Sequence, residues 1–198
     1  MAAYWPYFAL ILILVLLYLA ERRHRDRVTR LEENVLAILL AAITVISFAQ
    51  VVMRYGFNSG WGGALELTRI LFAWMILFGM SYGLKTGLHL GVDALIRTLP
   101  HRAFRVVALF GALTGLLYAV ILLSSDWLQI FGANSKGGAV FYWHRFFKAG
   151  IGLDDLRYPL FIQEWFGVQD RVQRWLAYII LPVGLALLAY RSVEAFIQ

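Results

Sequence analysis

Few residues in this sequence have the types and spacing that chemistry needs. The four histidines, at 24, 89, 101 and 144, all stand outside the long apolar runs. A b-type haem would take its axial histidines from within such runs, so no haem site is read here. There is no cysteine, which removes disulfides, thiolate metal sites and cysteine nucleophiles. HExxH does not occur and there is no P-loop, so metalloprotease and ATPase chemistry have no seat in this chain. The one GxSxG match, Gly79 to Gly83, lies inside an apolar run rather than at a strand-to-helix turn, so it makes no nucleophile elbow. The main polar groups inside the apolar runs are Thr44, Ser47 and Gln50. Their spacing of three puts them on one helical stripe, where hydrogen bonding between helices is favoured over a substrate path. The sequence therefore argues against an enzyme and calls for no cofactor and no metal.

Other constellations suit contact better than catalysis. Glu66 and Arg69 stand one turn apart and can pair. Trp61 precedes them, Trp74 follows two turns deeper, and Arg54-Tyr55 close the preceding run. Interfacial anchoring accounts for most of this set, but not for the depth of Trp74, so a partner contact or a clamp at the outer boundary is the competing reading. Gly79, Gly83, Gly87 and Gly91 recur every four residues, and Gly111 and Gly115 repeat the device. Small residues on one stripe let helix backbones approach closely in lipid. The stretch FYWHRFFK (141–148) interleaves aromatic and basic residues. Phe141, Tyr142, Trp143, Arg145 and Lys148 are read as docking a periplasmic partner or as anchoring in the lipid interface.

The elements that position these residues follow from composition. The chain has 198 residues, 61% hydrophobic and only 15% charged, with a mean hydropathy of +0.70. An ordinary soluble domain is about 25% charged, so the solvent expected here is a bilayer. Spans of roughly 20 apolar residues are read at about 4–20, 35–53, 67–84, 106–125 and 175–190, the last containing Pro182. The first run is followed by arginines rather than preceded by them. It is therefore read as retained rather than as a signal peptide, and as spanning rather than lying along the interface. Arginines 22, 23, 25, 27 and 30, with Lys85, Arg97, Arg102 and Arg105, fall on one side. By the positive-inside rule that side is cytoplasmic, which puts the N-terminus outside and the C-terminus inside. The +6 net charge is then a topology signal, not a nucleic-acid surface. Apolar residues at 92, 95, 96 and 99, ended by Pro100, predict a short amphipathic helix near 89–99 on the cytoplasmic surface. The fold expected is an all-α membrane protein in a single domain. It has four core transmembrane helices plus an N-terminal fifth, and an external loop at 126–174.

The run LEENVLAILLAAITVISFAQVVMRYGFN, then Trp61 and ELTRILFAWMILFGMSYGLKTGLHLGVDAL, resembles the small membrane subunit of TRAP transporters, the tripartite ATP-independent periplasmic systems. The matching features are Glu32-Glu33, Gln50 through Tyr55, Trp61, Glu66 with Arg69, Trp74, Gly79 and the His89…Asp93 pair. The likeness is strong over about 30–100 and extends to the last two spans only in hydropathy. It implies a non-catalytic subunit of a bacterial inner-membrane importer of organic acids, with C4-dicarboxylates the commonest assignment and sodium the expected coupling ion. Its implied partners are a large multi-span permease holding the substrate and ion sites, a periplasmic substrate-binding protein, and membrane lipid. Such subunits usually have four spans, so residues 4–20 would be an addition. A membrane anchor for a respiratory or other enzyme complex is the alternative; a self-sufficient channel would need a polar lining that the spans lack.

Overall fold

The computed structural model describes residues 4–87, 100–134 and 136–197. Helix α1, Trp5–Gly56, covers both of the first two expected spans without a loop between them. The reason is local: from Tyr7 to Tyr55 there is no glycine or proline, and the charged stretch between the spans consists largely of good helix formers. Pro6 sits in the first turn, where its missing N–H costs nothing. A straight helix of 52 residues would be about 78 Å long, well beyond a hydrocarbon core of about 30 Å. The helix is instead kinked at His24 (φ −146°, ψ 60°), giving two arms, 5–23 and 25–56.

Contacts fix the directions of these arms. Along the first, Leu10 clusters with Ala186 and Val183, and Glu21 then reaches Arg191. The second arm bonds Tyr82 through Glu33 before Leu36 meets Gly79. It therefore runs antiparallel to helix α2, Ala64–Thr86. Helix α3 is His101–Leu123, and the chain ends with α6, Arg174–Tyr178, and α7, Ile180–Ile197. Pro182 accounts for the α6–α7 break, because it has no N–H to offer the Tyr178 carbonyl four residues earlier. Among the described residues, four helices are long and apolar enough to cross a membrane. The 174–197 helix is their centre: 56% of its most apolar window is buried, against 6–17% for the others. The remaining apolar faces point outward, as expected of a protein whose solvent is lipid or another membrane subunit.

The described residues of 126–174, expected as a loop, are folded. A 3-10 segment, Asp126–Phe131, leads to helix α4, Ala139–Ala149. Strand β1, Gly152–Arg157, then pairs antiparallel with β2, Arg171–Gln173, around the short helix α5, Leu160–Phe166. Among the described residues the fold is thus nearly all-α with one two-stranded ribbon. GLDDLR carries no β-branched or aromatic residue, so propensity gave no sign of a strand; tertiary docking makes it one. The expected amphipathic helix at 89–99, with His89, Gly91 and Asp93, lies outside the described residues.

Candidate functional site

At one end of the bundle the start of α2 carries the ribbon. The Glu66 carboxylate accepts hydrogen bonds from three successive amides of β1: Asp154 at 3.3 Å, Asp155 at 2.9 Å and Leu156 at 2.8 Å. One turn earlier, Gly63 has φ +90°, and a Cβ there would meet the Asp155 carbonyl oxygen at 2.9 Å. The ribbon backbone thus lies against the helix start with no room for a side chain. Leu153 and Leu156 turn inward to pack with Ala177, Leu67 and Ile70. The ribbon is closed by Arg157–Asp170 at 2.9 Å and Arg174–Asp154 at 3.0 Å. Glu66 does not pair with Arg69 as expected. The β1 amides take the carboxylate, and Arg69 is exposed with no ion pair among the described residues. Arg54 and Trp61 are likewise exposed on this end.

Helix α4 completes the platform. Its inner face buries Val140 and Trp143, and the Trp143 indole donates to the Trp175 carbonyl at 3.0 Å. Trp5, Trp143, Phe147 and Trp175 form a tier of ring contacts with centroids 5.3–6.5 Å apart, tying the first arm of α1 to α4 and α6. Trp143 is therefore a buried strut, unlike its neighbours in the expected docking set. Phe141, Tyr142, Arg145 and Lys148 are exposed. Phe141, His144, Arg145 and Lys148 line an open recess of about 370 Å³. Burial, then the nearby Lys148 charge, holds the His144 imidazole below its usual pKa, so Arg145 and Lys148 supply the charge of this face at neutral pH.

The opposite end holds a constellation that the sequence reading did not assemble. Lys85, at the end of α2, contacts Glu21 at 2.8 Å and Glu32 at 2.5 Å. Arg191 of α7 contacts Glu21, meets Glu32 at 2.8 Å and Glu194 at 2.8 Å, and Tyr190 donates to Glu21 at 3.2 Å. The Lys85 and Arg191 side chains are only 5% and 1% exposed. Removing one partner of such a buried network strands a charge and costs about 3–5 kcal/mol. Its members close both arms of α1, α2 and α7, so it locks four helical segments together. The signal was available: these charges sit at span ends that topology assigns to one side.

Other expectations divide. Trp74 sits deep because its indole donates to the Ala177 carbonyl at 3.2 Å, beside the α6–α7 break. Gly115 is a true close approach, with the Ser192 hydroxyl 3.1 Å from where a Cβ would stand. Gly79 faces Leu36 at an ordinary 3.9 Å, and Gly111 has nothing within 4 Å. Gly87, at φ +68°, is the C-cap of α2 rather than a packing residue, and its N–H bonds the Gly83 carbonyl. Among the glycines of the long helices the tightest approach was missed: a Cβ on Gly184 would lie 2.7 Å from that of Leu77. Gly184 has no small partner four residues away, so a spacing rule passes over it. The Thr44 stripe makes no bond to another helix among the described residues. The Thr44 hydroxyl bonds its own Leu40 carbonyl at 2.9 Å, and Thr44 and Ser47 face outward.

Fold and site together define a membrane-embedded helical scaffold with a folded platform at one end and an ionic lock at the other. A family profile described as "Tripartite ATP-independent periplasmic transporters, DctQ component" matches residues 43–198. The chain belongs to that family: it is a multi-pass inner-membrane subunit of a tripartite transporter, and not an enzyme. It is 35% identical over 172 residues to a protein of Vibrio cholerae serotype O1, covering 83% of this chain and 68% of the relative. A relative from Pseudomonas aeruginosa is 31% identical (85% and 82% covered), and one from Rhodobacter capsulatus is 29% identical (83% and 74% covered). All three are named C4-dicarboxylate TRAP transporter small permease protein DctQ.

Proposed function

We propose that the chain is the non-catalytic small permease subunit of a sodium-coupled importer of organic acids, C4-dicarboxylates first among them. In this reading it stabilises a large multi-span permease and helps a periplasmic binding protein dock. The observation that carries this reading is the distribution of polarity. Among the described residues, ion pairs collect at the two ends of the bundle, and the middle offers no polar path. The outward faces of the second α1 arm and α3 are apolar, with Val45 at 65%, Phe48 at 69%, Val106 at 66% and Phe110 at 70% exposed. The Thr44–Ser47 stripe on the α1 face gives a partner helix polar groups to bond. The substrate class rests on the names of the three relatives.

In the proposed topology, the end with Lys85, Arg191 and arginines 22–30 is cytoplasmic, by the excess of basic residues near its spans. The ribbon platform is then periplasmic, with the N-terminus outside and the C-terminus inside. Residues 4–20 span in the first arm, and the other spans keep the boundaries 35–53, 67–84, 106–125 and 175–190. The binding protein contacts Phe141, Tyr142, Arg145 and Lys148 of α4, while Arg54, Trp61 and Arg69 meet the permease or the binding protein at the platform edge. Glu66 and Trp143 act behind them by holding the platform. Purification of the tagged chain in mild detergent tests the assignment. A large multi-span protein should accompany it; a redox subunit or haem absorbance in its place would overturn the assignment in favour of a membrane anchor.

A further inference from the structure

The bend of α1 leaves two adjoining cavities of opposite character. One, of about 340 Å³, is lined by Tyr18, Arg22 and Arg25 on the first arm and the bend, with Glu21 between them and Lys85, Tyr190 and Glu194 across from them. The other, of about 170 Å³, lies between the two arms, α2 and α7, and is lined mainly by Leu17, Val28, Leu31, Val35, Phe78 and Leu187. Lys85 lines the first and Glu32 the second. These two are bonded at 2.5 Å, so the cavities meet across that ion pair. Glu21 and Glu194 are engaged by Lys85 and Arg191. Arg22 and Arg25 are exposed and have no ion pair among the described residues. Two free guanidiniums beside a slot of aliphatic side chains, at a membrane-boundary bend, match the shape and charge of a phospholipid. Guanidinium groups bind phosphate oxygens in forked geometry.

We infer that the α1 bend is a phospholipid-binding site, with the phosphodiester held by Arg22 and Arg25 and an acyl chain in the slot between the arms. The shared recognition chemistry is phosphate; the apolar slot selects a lipid over a free anion. Full-length chain in nanodiscs of phosphatidylcholine with a minority of phosphatidylglycerol tests this, with retained lipid counted by native mass spectrometry. Wild type should retain phosphatidylglycerol. At about fivefold per arginine near the surface, Arg22→Gln with Arg25→Gln should lower that retention roughly 25-fold. Arg23→Gln with Arg27→Gln removes the same charge from the same bend but not from the cavity, and should cost less than about fivefold. Leu31→Trp fills the slot and should also lower retention, while thermal melting shows that each variant is folded. Equal losses in the two arginine pairs would make the attraction diffuse and overturn the site. So would full retention in Leu31→Trp, displacement of the lipid by inorganic phosphate, or no retention by wild type.

Discussion

Glu66 is one carboxylate serving three consecutive amides, and a hydrogen bond to a charged group contributes about 1.5–3 kcal/mol. Glu66→Ala should therefore expose β1: amide exchange at Asp154, Asp155 and Leu156 should quicken about ten- to hundredfold. Arg69→Ala should leave those amides protected, since the arginine touches none of them. The sequence singled out both residues but paired them with each other, because an i, i+3 spacing is visible in one dimension and a contact across 88 residues is not. Trp74 was legible in a different way. Its depth marked it as more than an anchor, and the carbonyl at the proline-induced break supplies the reason. Arg191, the most deeply buried charge among the described residues, was hidden because it reads simply as the basic end of a last span. Arg191→Met should lower stability in detergent by about 3–5 kcal/mol, seen as an earlier thermal transition. A melt unchanged from wild type would mean that Glu21, Glu32 and Glu194 find other partners.

At the scale of elements, length and hydropathy pointed to long helices. Among the described residues, each of the four helices long and apolar enough to cross a membrane overlaps one or two of the apolar runs, the first two runs sharing α1. What length and hydropathy could not locate were the contacts between the helices. The two glycines that matter most, 115 and 184, approach α7 and α2 side chains, while two of the regularly spaced ones do not pack at all. Gly184→Ala would place a Cβ 2.7 Å from that of Leu77, and overpacking of this kind costs about 1–3 kcal/mol. Gly111→Ala, with open space around it, should be neutral in the isolated chain. Melting both variants side by side separates packing from mere small-residue frequency. If Gly111→Ala instead weakens co-purification with a second subunit, its face is the partner's. The ribbon was illegible for a physical reason: β1 has no strand-forming side chains and owes its conformation to Glu66, Gly63 and the leucines beneath it.

For the whole molecule, a chain without native cysteine allows its topology to be read directly. Single cysteines at Arg27 and Trp165 should label from opposite sides of the membrane, with Arg27 on the cytoplasmic side. Labelling from the same side would undo the two-arm topology of α1. The central claim is that this bundle supports a transporter without carrying substrate itself, and reconstituted uptake tests that claim most directly. Proteoliposomes holding this chain alone, with a C4-dicarboxylate-loaded binding protein and a sodium gradient, should accumulate no substrate. Adding the large permease subunit should start uptake, and omitting this chain from the full set should abolish or strongly reduce it. Sodium-driven uptake by this chain without a large permease would contradict the account.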